Sequence, residues 1–272
     1  MKISSWNMAH RPHCWQTVAG LDADVAILQE ACAPPAELRP RFDLDEVPWR
    51  TEAGKRNWRT AIAGLSPDVK LDRVPTKSLA EAGHGDLGVS LVGTISVAHV
   101  EHPSLSGRVT LVSMYAGWQQ PHSSAGGRWI LSDAAAHRLI SDISALVGRQ
   151  HGHRIIAAGD LNCLYGYGDG GSEYWAHRYK TIFERFEAIG LSFVGPQSPG
   201  GRQALPWPSE LPTTSRNVPT FYTSKQTPAS ATRQLDFVFA SHDLAPQVQV
   251  RALNDVDAWG PSDHCRVEIV LG

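Results

Sequence analysis

Short apolar runs rich in Val, Ile and Ala, many of them ending on a lone polar residue, constrain this chain most. They fall at residues 2–6, 25–28, 60–65, 89–97, 109–114, 155–158, 235–240, 248–253 and 266–271. Runs of this length, bounded by Gly, Pro and polar residues, read as strands with one or two buried faces. Their spread along all 272 residues predicts large sheets rather than one hairpin. Helical periodicity is confined to residues 14–21, 129–147 and 175–189, where apolar side chains recur at spacings of three and four. Such stripes are core faces and carry no function. Residues 66–88 and 195–230 lack either pattern and read as long loops, often functional rims in a compact domain. Strand signals on both sides of each loop are needed to complete the sheets, so neither loop is an interdomain linker. The expectation is one α+β domain spanning residues 1–272 and built on two sheets.

Composition narrows the partners only slightly. Hydrophobic residues at 42% and charged residues at 19% are those of an ordinary globular protein. A formal net charge of −2 gives no global attraction to nucleic acid or membrane, yet allows a local basic groove. Cys14, Cys32, Cys163 and Cys265 are far apart, whereas zinc-binding cysteines come in close pairs. Isolated buried thiols are expected. Residues 1–7 run directly into a core strand without an apolar leader, and no run reaches 18 apolar residues. A cytoplasmic setting without membrane association or an obligate protein partner is the expectation.

The chemistry lies at the strand ends. Asn7 follows the first run, Glu30 the second, and Tyr115 closes the fifth. Asp160 and Asn162 follow the sixth, Asp236 sits within the seventh, and Asp263 and His264 precede the last. Any one of these could be an ordinary polar loop residue. Four acids, two amides, a Tyr and a His at six strand ends would converge on one cleft if the strands lie side by side. Crowded acids raise one another's pKa values unless a cation neutralises them. Hard oxygen donors suit Mg²⁺ or Mn²⁺ rather than zinc, which points to phosphate chemistry.

At this point the chain resembles the endonuclease/exonuclease/phosphatase superfamily, the fold of DNase I and exonuclease III. The motifs that carry the resemblance are Ser5-Trp6-Asn7, Asp24 to Glu30, Tyr115, Gly159-Asp160-Leu161-Asn162, Leu235-Asp236-Phe237-Val238 and Gly260-Pro261-Ser262-Asp263-His264. They stand in the family's order and cover essentially the whole chain. The resemblance implies a four-layer α/β/β/α sandwich, with two mainly antiparallel sheets packed face to face and helices outside. It implies Mg²⁺ or Mn²⁺ held by Glu30 with Asn7 and Asp263, and Asp160 orienting or deprotonating water. Asn162 and His264 would contact the phosphate, Asp236 would orient His264, and Tyr115 would donate to the phosphate or the leaving oxygen. Ser262 would shape a turn, since no Gly-x-Ser-x-Gly elbow surrounds it.

Departures from the abasic-site nuclease branch bear on the substrate. Ala9 stands where that branch carries an acid, Trp118 where it carries an Asn, and Arg233 where its abasic-specific members carry a Trp. Abasic-site specificity is therefore not expected. Trp118, Trp207, Phe221 and Tyr222 would stack on unpaired bases or anchor loops. Arg202, Arg216, Lys225 and Arg233 would contact a nucleic-acid backbone or a phosphorylated headgroup. A nuclease acting on DNA or RNA is the favoured expectation. The alternatives are a phosphatase or phospholipase-type phosphodiesterase acting on inositol phosphates or other small phosphoesters, and a non-catalytic interaction module. The module is the weakest, because every matched catalytic position is filled.

Overall fold

A computed structural model describes residues 1–51, 56–117, 132–147 and 152–272. Its strands are β1 (Lys2–Asn7), β2 (Val25–Ala31), β3 (Arg59–Gly64), β4 (Lys70–Val74), β5 (Thr76–Ser78), β6 (Leu87–Val89) and β7 (Ile95–Glu101). They continue with β8 (Val109–Tyr115), β9 (Ile155–Asp160), β10 (Leu191–Gly195), β11 (Asp236–Ser241), β12 (Val248–Leu253) and β13 (Arg266–Leu271). The helices are α1 (Cys14–Val18), α2 (Ser132–Val147) and α3 (Glu173–Ala188).

Two sheets hold most of these strands, in the orders β12-β13-β1-β2-β3 and β10-β11-β9-β8-β7-β4. They pack face to face over a shared core. Ile3, Ile27 and Ile269 of one sheet meet Leu111, Ile156 and Val238 of the other. On the outer face of the second sheet, α2 and α3 cover Val112, Ala157 and Phe239 with Leu139, Ile143, Ile182 and Phe186. The Phe186 and Phe239 rings stack at 3.8 Å. On the outer face of the first sheet, α1 buries Trp15 and Val18 against Leu28 and Ala61. Each fully buried side chain of this size contributes about 1.5–3 kcal/mol, which outweighs the weak local preferences of strands this short. The result is the four-layer sandwich.

One parallel pair in each sheet determines where the polar strand ends go. β1 and β2 run parallel, so Asn7 and Glu30 leave the first sheet at the same edge. β8 and β9 run parallel in the second sheet and place Tyr115 opposite Asp160. β11 runs antiparallel to β9, so its first residue, Asp236, pairs with the last of β9, Asp160. β13 runs antiparallel to β1, and the turn before it therefore returns to Asn7. A buried link ties the sheets together beneath this edge: Gln29 Nε2 donates to Ser113 Oγ at 3.1 Å, and Ser113 Oγ donates to the Leu28 carbonyl at 2.8 Å.

Some expected boundaries are corrected. The run at 89–97 is two strands, because the chain turns at Gly93, where φ is 90°. A Cβ there would stand 2.7 Å from the Arg50 carbonyl oxygen, so only glycine fits. The stretch at 66–88 is not all loop, since it holds β4 and β5 and the start of β6. β4 escapes pattern reading because it is an edge strand whose five residues, KLDRV, carry no apolar run. Of the cysteines, Cys14, Cys163 and Cys265 are buried, Cys32 is half-buried, and all four are free. No helix among the described residues is long and apolar enough to cross a membrane.

Candidate active site

The convergent edge gathers Asn7, Glu30, Tyr115, Asp160, Asn162, Asp236 and His264 into one network, with Asp263 at its side. Asp160 is its centre and is almost wholly buried. Asn7 Nδ2 donates to Asp160 Oδ2 at 2.9 Å, Asn162 Nδ2 donates to the same oxygen at 3.1 Å, and the Asn162 backbone N–H donates to Oδ1 at 2.8 Å. Asn162 reaches back this way because its φ is 48°, a left-handed conformation that Asn tolerates better than most residues. The glycine of the same motif has a different role. A Cβ on Gly159 would stand 1.8 Å from the Met114 carbonyl oxygen, so β9 lies this close to β8 only without a side chain.

His264 lies against both acids. Its Nδ1 donates to Asp236 Oδ2 at 2.8 Å, and its Nε2 stands 3.8 Å from Asp160 Oδ2. Burial alone would neutralise the imidazole, but the charge and hydrogen bond of Asp236, with help from Asp160 and Asp263, push its pKa up to about 10. The Asp160 pKa is raised as well, which for an acid disfavours the charged form. Burial raises its pKa to about 7 and the negative neighbours Asp236 and Glu30 add to this, while His264 and the Asn162 N–H pull it down. The Phe221 ring packs on the His264 ring at 4.9 Å. The Ser262 hydroxyl donates to the Asn7 carbonyl at 2.7 Å and accepts from the His264 N–H at 3.1 Å, geometry that shapes the turn.

Glu30 sits at a β-bulge in β2 with φ 47°. Burial opposes its charge, but hydrogen bonds from His10 and Tyr115 outweigh that and hold its carboxyl below the usual value. Tyr115 is buried, and burial together with the charges of Glu30 and Asp160 holds its hydroxyl well above the usual phenol value. It is therefore a neutral donor. His10 carries no motif and escaped pattern reading. Its Nδ1 lies 2.9 Å from Glu30 Oε2, and its ring stacks on Trp58 at 5.2 Å. Trp58 in turn meets Tyr115 edge-on at 5.1 Å. The only signal for His10 in the sequence was its place three residues after Asn7. Ala9 and His10 both have left-handed backbones, with φ of 48° and 57°.

The donor set fits a hard divalent cation. Asp263 Oδ1 is buried without a hydrogen-bond partner, which leaves an anionic oxygen that a cation would satisfy. Glu30 is held ionised, and Asn7 adds an amide oxygen that now accepts from the Ala9 N–H at 2.9 Å. Among the described residues no group of three or more Asp, Glu, His or Cys forms a chelating cluster. Mg²⁺ commonly needs only one or two carboxylates, with water and substrate phosphate completing its shell.

The rim is less available than the sequence suggested. Arg233 pairs with Asp169 at 3.2 Å. Arg202 donates to the Pro228 carbonyl at 2.8 Å, and Arg216 donates to the Ser198 carbonyl at 2.6 Å. Arg202 and Arg216 brace the 195–230 loop against itself, Arg233 just beyond it is tied to Asp169, and of the four cations only Lys225 is exposed without a partner among the described residues. Trp207 Nε1 donates to the Leu211 carbonyl at 2.9 Å, and Tyr222 packs on Trp259. Trp118 lies outside the described residues.

Comparison with known proteins agrees with this fold. Residues 4–264 match the model of the Endonuclease/Exonuclease/phosphatase family, and the chain belongs to that family. No curated protein matches it in sequence. Among solved structures, the endonuclease domain of the telomere-specific non-LTR retrotransposon TRAS1 superposes with a TM-score of 0.64 at 16% identity, covering 99% of this chain and 97% of that one. The APE2 catalytic domain of Xenopus laevis gives 0.65 at 16% identity, covering 100% and 91%. A mannosyl-6-phosphatase of Bacteroides thetaiotaomicron gives 0.55 at 15% identity, covering 100% and 99%. These likenesses share the DNase I-like sandwich.

Proposed function

We propose that this member of the endonuclease/exonuclease/phosphatase family is a divalent-metal-dependent phosphodiesterase whose substrate is DNA or RNA. The observation that carries the reading is the buried array Asp160–His264–Asp236, in which an acid with a pKa of about 7 lies 3.8 Å from a histidine with a pKa of about 10. Near neutral pH this supplies a carboxylate able to accept a proton and an imidazolium able to meet an anion.

The residues divide the work by position. Asp160, oriented by the amides of Asn7 and Asn162, takes the proton from the attacking water. Asn162 and the imidazolium of His264 hold non-bridging phosphate oxygens, and Asp236 keeps that imidazolium charged and oriented. Tyr115, neutral and buried, donates to the leaving oxygen. Glu30, Asn7 and Asp263 would hold Mg²⁺ or Mn²⁺, which when bound counters negative charge on the phosphate and the leaving alkoxide. His10, Trp58 and Phe221 fix the orientations of Glu30, Tyr115 and His264 through the contacts above.

Nucleic acid is favoured because the TRAS1 endonuclease domain and the APE2 catalytic domain superpose better than the mannosyl-6-phosphatase does. A small phosphoester is the second reading, supported by the rim, where Arg202 and Arg216 are spent on carbonyls of the 195–230 loop itself and Arg233 on Asp169. Incubation with single- and double-stranded DNA, RNA and inositol phosphates, in Mg²⁺, Mn²⁺ or EDTA, separates the two. Metal-dependent cleavage of a polynucleotide is expected. Release of phosphate from monoesters without any diester cleavage would overturn the nuclease reading.

A further inference from the structure

A second charged site lies at the open edge of the sandwich, where the edge strands β3 and β4 face each other across β7. A cavity of about 240 Å³ opens there, and none of the catalytic residues lines it. Its walls are mostly apolar, with Ile62, Val74, Ile95 and Val97 among them. Three arginines, Arg50, Arg59 and Arg73, also line it.

The arginines are only partly compensated. The Arg59 side chain is 3% exposed, pairs with Asp45 and lies over the Trp49 ring at 4.3 Å. Arg73 pairs with Asp43 at 3.0 Å and donates to its carbonyl at 2.6 Å. The Nε of Arg59 and the Nε of Arg73 are nevertheless buried without an acceptor. Arg50 is exposed at the mouth and has neither an ion pair nor a side-chain hydrogen bond among the described residues. Among the described residues, three guanidinium groups thus face two carboxylates. Burial and the field of Arg73 both lower the pKa of Arg59, opposed by Asp45, so the two cations strain each other inside a desolvated wall. Buried guanidinium donors are normally satisfied, and an oxyanion matches their planar fork.

We propose that this cavity binds a small organic anion, with one carboxylate or phosphate group against Arg50, Arg59 and Arg73 and an apolar body of a few carbons against Ile62, Val74, Ile95 and Val97. The headgroup supplies an acceptor to Arg50, beside the positive field of Arg59 and Arg73, and the apolar lining excludes water around it. Carboxylate and phosphate present the same oxygens, so experiment must separate them. The site is independent of the phosphodiesterase reading, because it shares no residue with the cleft.

The test is isothermal titration of the full chain in EDTA with hexanoate, butyl phosphate and hexanol. One or both anions should bind, and hexanol should not bind at the same concentrations. Arg50→Glu and Arg73→Met should each weaken the anion tenfold or more, and Asn162→Ala should leave its affinity unchanged. Arg50→Glu is the safer variant because Arg50 has no partner to lose among the described residues, and unchanged thermal unfolding will show that it folds. Binding of hexanol as tight as hexanoate would reduce the site to an apolar hollow. Loss of binding in Asn162→Ala but not in the arginine variants would place the anion in the catalytic cleft. Either outcome, or no binding of either anion, overturns the proposal.

Discussion

The candidate active cleft and the arginine-lined cavity both take charge out of water, yet they settle it differently. In the cleft, Asp160 receives hydrogen bonds from two amides and a backbone N–H, Asp236 holds His264, and Glu30 is held by His10 and Tyr115. One acceptor, Asp263 Oδ1, is left over. In the cavity the leftover groups are donors, the Nε atoms of Arg59 and Arg73. A cation would complete the first, and an anion beside Arg50 would complete the second. The cleft's charges also come from the ends of central strands, whose register holds them rigidly, whereas the cavity's come from edge strands and the loop beside them.

The largest expected effect is confined to the cleft. Glu30→Ala and His264→Ala should each slow hydrolysis of bis-p-nitrophenyl phosphate by roughly a hundred- to ten-thousand-fold, the range for losing a catalytic group of this kind. Circular dichroism should show the fold intact, and rates near wild type would refute the assigned roles.

Next comes the backbone beneath the cleft. Gly159→Ala should cost about 3 kcal/mol or more in urea unfolding, since it forces a Cβ into the Met114 carbonyl and strains the sheet register that pairs Asp160 with Asp236. Gly85→Ala is the matched control. That glycine has φ 92° but nothing within 4 Å, so only conformational strain of about 1 kcal/mol is expected. Equal losses would mean that close approach, as distinct from φ, contributes nothing.

Titration separates the regions by a smaller factor. Asp160 must be ionised to accept a proton, and its raised pKa of about 7 means that kcat/KM should fall about tenfold per pH unit below 7. His264 must stay protonated, so the rate should fall again above about 10. In Asp236→Asn the upper limb should move to lower pH, because the largest influence holding the proton on His264 is gone. Stability follows the same sign. His264 has a raised pKa in the fold, so its contribution is complete below pH 6.5 and is lost as pH rises through about 10. A pH–rate profile flat between 5 and 8 would contradict the assignment of Asp160. The smallest effect belongs to the cavity. Arg50→Met should leave hydrolysis within about twofold of wild type, as expected for a surface charge outside the site, and a larger loss would mean the two regions are coupled.

How much of this was readable from sequence follows from the same contrast. The convergence of these side chains was legible because each contributing strand carries a polar residue at a fixed place beside an apolar run: Asn7 after Trp6, Asp160 and Asn162 after Gly159, Asp236 before Phe237. Parallel pairing of β1 with β2 and of β8 with β9 then made convergence inevitable. His10 and Trp58 were illegible because they act through contacts made in three dimensions, as a cap on Glu30 and a prop beside Tyr115. The rim arginines were legible only as charges. Nothing in the sequence said that Arg202 and Arg216 would be spent on backbone carbonyls or Arg233 on Asp169. β4 stayed hidden because an edge strand needs no apolar run, and with it stayed hidden the meeting of Arg59 and Arg73.

The central claim is that the cleft cleaves phosphodiesters with Asp160 as base and a divalent ion beside Glu30 and Asp263. The most direct measurement is hydrolysis of bis-p-nitrophenyl phosphate at pH 8 by the wild type and Asp160→Asn, each with Mg²⁺, Mn²⁺ or EDTA. Turnover by the wild type is expected with a metal and not in EDTA, with a loss of about a hundredfold or more in Asp160→Asn with the metal present. Equal rates in EDTA and Mg²⁺, or an Asp160→Asn variant as fast as wild type, would contradict the claim.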